Sequence, residues 1–253
     1  MRKLFLTLVA GALAAACGHK PSQSSEASAA EVSKATPSET PTTATPSIVT
    51  PVSFAEAESA YTAKRYGDAV RLFTTYTSDK PDNVWGYYML GLSAWKNGDR
   101  DAAVNAFTLG LQKDSTHIKS HLNLSRVLIE QGRAQDALPH VEAAVALDST
   151  SGETFRLLGR VQTELGDTDA AVAAYRRAIV LDENDVWALS GLGRTYIDQG
   201  KFDDALGPLA RAIQVDSTVG TVQKNLGIAL RHASCVKLDS LAEHFATAVK
   251  TGK

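Results

Sequence analysis

The sequence predicts an all-α fold: a solenoid of antiparallel helix pairs, preceded by a cleaved signal and a disordered tether. Two observations carry this. From residue 50 onward the chain repeats itself at one fixed step, with alanine at Ala69, Ala103, Ala137, Ala171 and Ala205, glycine at Gly98, Gly132, Gly166 and Gly200, and leucine at Leu90, Leu124, Leu158, Leu192 and Leu226. Before residue 53 the composition changes abruptly to Ser, Thr, Pro and Ala. The whole chain has 253 residues, 44% hydrophobic and 21% charged, which suits a packed core.

The first segment, 1–16, reads as an address. Arg2 and Lys3 precede an apolar run, Leu4 to Ala16, broken only by Thr7 and Gly11. As a helix this run spans about 20 Å, too short for a hydrocarbon core of about 30 Å. A basic start, a short apolar stretch and small residues at its end describe a secretory signal. Ala14-Ala15-Ala16 fits an ordinary A-x-A cleavage site, which would release a soluble protein. The next residue is Cys17, and Leu13-Ala14-Ala15-Ala16-Cys17 resembles a bacterial lipobox with its leucine one place further out. The resemblance implies a diacylglyceryl group on the Cys17 sulfur and palmitate-type acylation, with Cys17 as the first mature residue. Several acyl chains anchor firmly, since each buried CH₂ contributes about 0.8 kcal/mol. Gly18 follows in place of aspartate, and by similarity to enterobacterial sorting this implies the outer membrane, facing the periplasm. Net charge is −2, and −4 once Arg2 and Lys3 are removed. That balance, with no Lys/Arg block, argues against a nucleic-acid partner.

The second segment, 17–52, is a tether. From Pro21 to Val52 the chain is mostly Ser, Thr, Pro and Ala, without an aromatic residue. Such a stretch cannot offset an ordering entropy of roughly 1–2 kcal/mol per residue. It is expected to be a passive spacer about 30 Å long root-mean-square.

The third segment, 53–250, holds the repeats, about 50–83, 84–117, 118–151, 152–185 and 186–219, with a variant pair at 220–250. The clearest unit runs Trp85-Gly86-Tyr87-Tyr88-Met89-Leu90-Gly91, then Gly98, Ala103 and Phe107. This resembles the tetratricopeptide pattern W-x2-L-G-x2-Y…A-x3-F, with Tyr87 in the tryptophan place, and the step matches that family's period of about 34 residues. The resemblance implies a right-handed superhelix in which the first helix of each pair lines a concave face. Position 8 of each repeat is small (Gly91, Ser125, Gly159, Gly193, Gly227), and it lets the second helix approach. Phe73, Phe107, Val141, Tyr175 and Leu209 are expected to fill the space between helices. Gly98 and its equivalents can end the first helix in a left-handed conformation. Pro139 and Pro208 are expected in the first turns of second helices, where a missing N–H costs least. The ends are irregular, as capping repeats are. Glu56 stands where leucine is usual. After a helix from Gly220 to His232, Leu241, Phe245 and Ala248 fall two places late, and Cys235 lies in the lengthened loop as an inert small residue. Two cysteines make no disulfide framework.

Catalytic patterns are missing from the sequence: no H-E-x-x-H, G-x-S-x-G, Walker A or C-x-x-C occurs. Gly191-Leu192-Gly193 imitates the start of a dinucleotide loop but lies mid-helix, where it reads as packing. His117 and His121 share an i, i+4 face without an evident third ligand. No enzyme activity, cofactor, metal or small-molecule substrate is expected.

The concave face is where binding is expected. By resemblance, positions 2, 5, 6, 9, 12 and 13 of each first helix point into it. Near the N-terminal end these include Phe54, Tyr61, Trp85, Tyr88, Met89, Leu92 and Trp95. The middle carries Lys119, Asn123, Arg126, Arg156 and Arg160, and the far end Trp187, Arg194, Lys224 and Asn225. Arg126, Arg160 and Arg194 share position 9 and read as a basic ladder reaching into solvent. Trp, Tyr and Arg most often carry interface energy, so the expected ligand is an extended peptide with apolar and acidic parts. The family's terminal-carboxylate clamp is not expected, because Phe54 and Glu58 occupy its first-repeat places. Surface decoration is the competing reading, since Leu-Gly-Arg is a frequent local variant.

The expected role is therefore a membrane-anchored scaffold or adaptor for a protein partner. A narrower alternative is an assembly factor for a cell-envelope machine, since size and layout are similar to type IV pilus pilotins, apart from the long tether. The anchor is directly testable: a metabolically supplied fatty acid should label the wild-type chain and not Cys17→Ser, and an unlabelled wild type would refute lipidation.

Overall fold

A computed structural model describes residues 51–234 and residue 237. The expected signal, Cys17, the expected tether as far as residue 50 and the expected second helix of the variant pair, with Cys235, Leu241, Phe245 and Ala248, lie outside these residues. The described residues form eleven α-helices: α1 Phe54–Thr62, α2 Tyr66–Asp79, α3 Val84–Lys96, α4 Arg100–Lys113, α5 Ile118–Glu130, α6 Ala134–Leu147, α7 Gly152–Leu165, α8 Thr168–Leu181, α9 Val186–Asp198, α10 Phe202–Val215 and α11 Gly220–His232. From α3 onward each odd-numbered helix starts one full repeat after the previous one, and the even-numbered helices keep the same step from Tyr66. None is long and apolar enough to cross a membrane.

The register is fixed by residues at the joints. Ser53, Asn83, Asp99, Ser151, Asp167 and Asp185 each accept a backbone N–H from the first turn that follows, satisfying donors that have no partner inside the helix. At the other end of each pair, Asp114, Asp148, Asp182 and Asp216 stop the even-numbered helices in extended backbone. Their carboxylates accept the N–H two places on, from Thr116, Thr150, Asn184 and Thr218. This side-chain turn closes each of these four joints. The threonine hydroxyls and amides hold the carboxyls of Asp114, Asp148 and Asp216 below their usual range. Within each pair, Gly98, Gly132, Gly166 and Gly200 turn the chain at φ between 72° and 89°. The first pair uses Lys64 at φ 60° in the equivalent place, a conformation that L side chains resist.

Packing follows from paired volumes. A methyl group added to Gly91 would lie 2.6 Å from the Phe107 ring, to Gly159 2.8 Å from Tyr175, and to Gly193 2.4 Å from Leu209. In the third repeat Ser125 replaces the glycine, and the opposing position shrinks to Val141; the Ser125 hydroxyl donates to the carbonyl of Ala137 on α6. Ala69, Ala103, Ala137, Ala171 and Ala205 are all 0% exposed. The prolines correct an expectation. Pro139 and Pro208 are the sixth and seventh residues of α6 and α10, so each removes an N–H that would have had an intrahelical partner.

Each helix packs on the next, and each odd-numbered helix also packs on the following odd one. Successive even-numbered helices do not meet to this extent. The described stack therefore curves with the odd-numbered helices inside. Because Ala171 is fully enclosed, Ala171→Leu should destabilise by about 1–3 kcal/mol, lowering Tm by roughly 2–10 °C; an unchanged melting curve would contradict the close contact.

Candidate partner-binding site

The inner side carries a pocket of about 210 Å³ between α5, α7, α8 and α9. Arg126 comes from α5, Glu153, Arg156, Leu157 and Arg160 from α7, Tyr175 from α8 and Trp187 from α9. Four of these, Arg126, Arg156, Arg160 and Trp187, are among the groove residues expected from sequence.

A chain of ion pairs holds this wall together. Arg126 donates to Glu153 Oε1 at 2.5 Å and to Asn123 Oδ1 at 2.8 Å. Arg156 donates to Asp185 Oδ2 at 2.7 Å, with its other terminal nitrogen 3.9 Å from Glu153. Asp185, 8% exposed, uses its second oxygen to accept the N–H groups of Trp187 and Ala188. One carboxylate thus caps α9, pins Arg156 and sets where Trp187 begins. Among the described residues Arg160 is exposed and has no carboxylate within ion-pair distance. The pocket lining has three guanidiniums against one carboxylate, and Asp185 behind Arg156 adds a second, which leaves one excess positive charge for an anion.

The floor is aromatic. Tyr175 is buried, and burial pushes its phenol up from the ordinary tyrosine range. A methyl group on Gly191 would lie 2.5 Å from the same ring, so both glycines that flank Leu192 are packing features, Gly193 against Leu209 and Gly191 against Tyr175. Trp187 stands 59% exposed at the rim.

A second cluster lies at α3 and α5. Trp85, 47% exposed, meets Tyr88 edge-on at 5.5 Å and His117 at 4.9 Å, and the Lys119 ammonium sits 5.3 Å from its ring centre. That spacing supports a cation–π contact. The Tyr88 hydroxyl accepts from Asn123 at 3.2 Å, and burial raises its pKa. His117 caps α5: its Nδ1 accepts from the Ser120 N–H and is 2.7 Å from the Ser120 hydroxyl. Burial lowers its pKa. Arg126, through Asn123, links this cluster to the pocket.

Several expected groove residues stand apart. Asn123 and Asn225 are buried, at 8% and 3% exposure, and the Asn123 amide is spent on Tyr88 and Arg126. Trp95 donates its indole N–H to Glu130 at 3.0 Å. Arg194 is engaged by Asp198 at 2.8 and 2.9 Å, and Lys224 is exposed on α11, away from the pocket. The ladder is therefore unequal: Arg126 and Arg194 hold carboxylates of this chain, and Arg160 does not. Sequence reasoning missed Glu153, Leu157, Tyr175 and Asp185. Glu153 and Leu157 occupy groove positions 2 and 6 and could have been named. Tyr175 reaches the pocket from a second helix only because Gly159 and Gly191 leave room. The helix pattern gives no sign that the carboxylate of Asp185, beyond its capping place, reaches Arg156.

The double role of Asp185 has a measurable signature. Asp185→Ala loses a cap, worth about 0.5–2 kcal/mol, and a charge-assisted bond of about 1.5–3 kcal/mol; Asp185→Asn keeps an acceptor for the cap. Urea unfolding should show a loss of roughly 2–4 kcal/mol for alanine and clearly less for asparagine; equal losses would remove the capping role.

Comparison with known proteins agrees with this architecture. A family model for the TPR repeat matches residues 159–200, and tetratricopeptide-repeat models match 54–118, 88–152 and 186–215. No curated protein matches the chain in sequence. Among solved structures, a MamA protein superposes with TM-score 0.59 at 21% identity, covering 64% of this chain and 88% of its own. MamA from Desulfovibrio magneticus RS-1 gives 0.61 at 18%, covering 65% and 93%. YrrB, described as a TPR protein with an unusual peptide-binding site, gives 0.60 at 19%, covering 67% and 88%. At such identities the likeness shows the fold. With its constant repeat register, its helix pairs and these matches, the chain belongs to the tetratricopeptide-repeat family.

Proposed function

We propose that the chain is a lipid-anchored adaptor that holds an extended, acidic segment of a partner protein against the inner side of its repeats. The observation that carries this is the pocket around Arg160, a cation without a carboxylate partner among the described residues, set between two guanidiniums already held in place by Glu153 and Asp185. Because those two are fixed beforehand, a ligand carboxylate meets an arranged field and few side chains need ordering on binding. Trp187 and Leu157 give an adjoining apolar surface, suited to a residue beside the acid. A volume of about 210 Å³ suits one side chain, so an extended strand laid along the odd-numbered helices fits better than a bulky ligand. YrrB, similar in fold, is described as a TPR protein with an unusual peptide-binding site, which supports a peptide as the class of partner here. A cysteine-linked lipid and a tether would place this surface at the periplasmic side of a bacterial outer membrane. The narrower reading, a pilotin-like assembly factor, rests on size and repeat number; pilus genes beside this one would favour it.

Partner capture from detergent-solubilised membranes separates the pocket from the rest of the inner side. Arg160→Ala combined with Trp187→Ala should weaken capture at least tenfold, corresponding to about 1.4 kcal/mol, and leave Tm within about 2 °C, since surface changes cost little. Arg194→Ala, outside the pocket, should leave capture unchanged. Wild-type capture should fall as salt rises. Recovery of the same partners by the folded double variant would exclude the pocket as the binding surface.

A further inference from the structure

His121 and His140 form a pair that the groove does not use. His121 is on α5, 7% exposed, and His140 is half-buried on α6. Their Nδ1 atoms are 3.3 Å apart. The other ring nitrogen of His121, Nε2, lies 3.0 Å from the carbonyl oxygen of Ser115, in the joint before α5. A carbonyl can only accept, so Nε2 of His121 carries its proton and Nδ1 presents a lone pair. The tautomer is thus set by the backbone. This is how metal-binding imidazoles are commonly oriented, with the remote N–H held by a carbonyl and the near nitrogen free.

The separation is also informative. At 3.3 Å the two nitrogens are close enough to share one hydrogen bond, and the same separation suits two ligands of one ion. Two nitrogens each about 2.0–2.1 Å from a tetrahedral metal ion are about 3.3–3.4 Å apart. Neighbouring ligands of an octahedral ion with bonds of about 2.0–2.1 Å are nearer about 2.9 Å. The ring centres are 5.4 Å apart and the planes inclined at 40°, so the rings are not stacked face to face.

We propose that His121 and His140 are a two-histidine site for a tetrahedral divalent metal ion of the zinc class. Without metal, Nδ1–H of His140 donates to Nδ1 of His121. Binding moves that proton to Nε2 of His140, so both imidazoles stay neutral and two lone pairs face the ion. Burial, with the neighbouring His121, lowers the pKa of His140. Asp136, one turn earlier on α6, adds a favourable field. No third His, Cys, Asp or Glu completes the set among the described residues, so water fills the other positions. The ion would join α5, α6 and, through Ser115, the joint with α4. His117, one turn before His121, is committed to capping α5 and takes no part.

Zinc chloride titrated calorimetrically into the full-length chain should bind at one equivalent, whereas magnesium chloride should give no saturable heat. His140→Gln should weaken zinc binding at least tenfold while circular dichroism stays helical. Cobalt(II) on the wild-type chain should show the intense visible bands of tetrahedral coordination, which needs no variant to fold. Weak octahedral bands, no saturable zinc binding, or equal affinity in His140→Gln would each overturn the site and leave the pair as a shared hydrogen bond.

Discussion

The Phe107 ring lies where a side chain on residue 91 would have to be, and the same holds for Tyr175 at residue 159 and Leu209 at residue 193. These contacts bring the two helices of a pair together, and the rest of the solenoid depends on them. A large residue on one helix and an absent one on the other form a single unit of volume, repeated with small compensations such as Ser125 against Val141. Interiors at crystal-like density do not tolerate independent change on either side. Because the unit recurs from one described pair to the next, these pairs share one geometry, and side chains one repeat apart occupy equivalent places on successive helices.

That recurrence explains what could be read from the amino-acid sequence. The helices, their starts and the turn glycines all follow from local rules applied at a fixed step, so Ala103 and Ala171 are buried for the same reason. The exceptions were legible only in part. Lys64 stands at a glycine position, visible when the repeats are aligned, but nothing local says that the backbone keeps the left-handed turn. The repeat pattern puts Pro139 and Pro208 a turn too early, because a proline's tolerance depends on where the helix begins, and boundaries are the weakest part of any pattern.

The pocket was half legible for a different reason. Position in the repeat tells which way Arg126, Arg160 and Arg194 leave their helices, and it tells nothing about what each meets. Glu153 lies between Arg126 and Arg156, and Asp198 takes up Arg194 from one turn away. Arg160 has Glu164 one turn ahead, yet the two do not pair. Three residues equivalent by period thus end with three different neighbourhoods. The distinction belongs to rotamers and to long-range pairs, which a one-dimensional pattern does not contain. Tyr175 belongs to the same class: its place as a filler was evident, and its arrival at the pocket floor required two glycines on two different helices.

The one-sided packing of the helices also has a mechanical meaning. Successive pairs meet through the even-numbered helix of one and the odd-numbered helix of the next, and through neighbouring odd-numbered helices, so each joint behaves as a hinge that is open at its outer edge, where even-numbered helices hardly meet. The bonds from Arg126 to Glu153 and from Arg156 to Asp185 cross two such hinges, α5 to α7 and α7 to α9, and act as springs against straightening. The arginine side chains are only 25% and 30% exposed, so mobile ions soften these springs less than they would soften free surface pairs. The two bonds that shape the pocket wall are therefore also cross-braces between three successive repeats, and the loss of either would loosen the curvature and the pocket together.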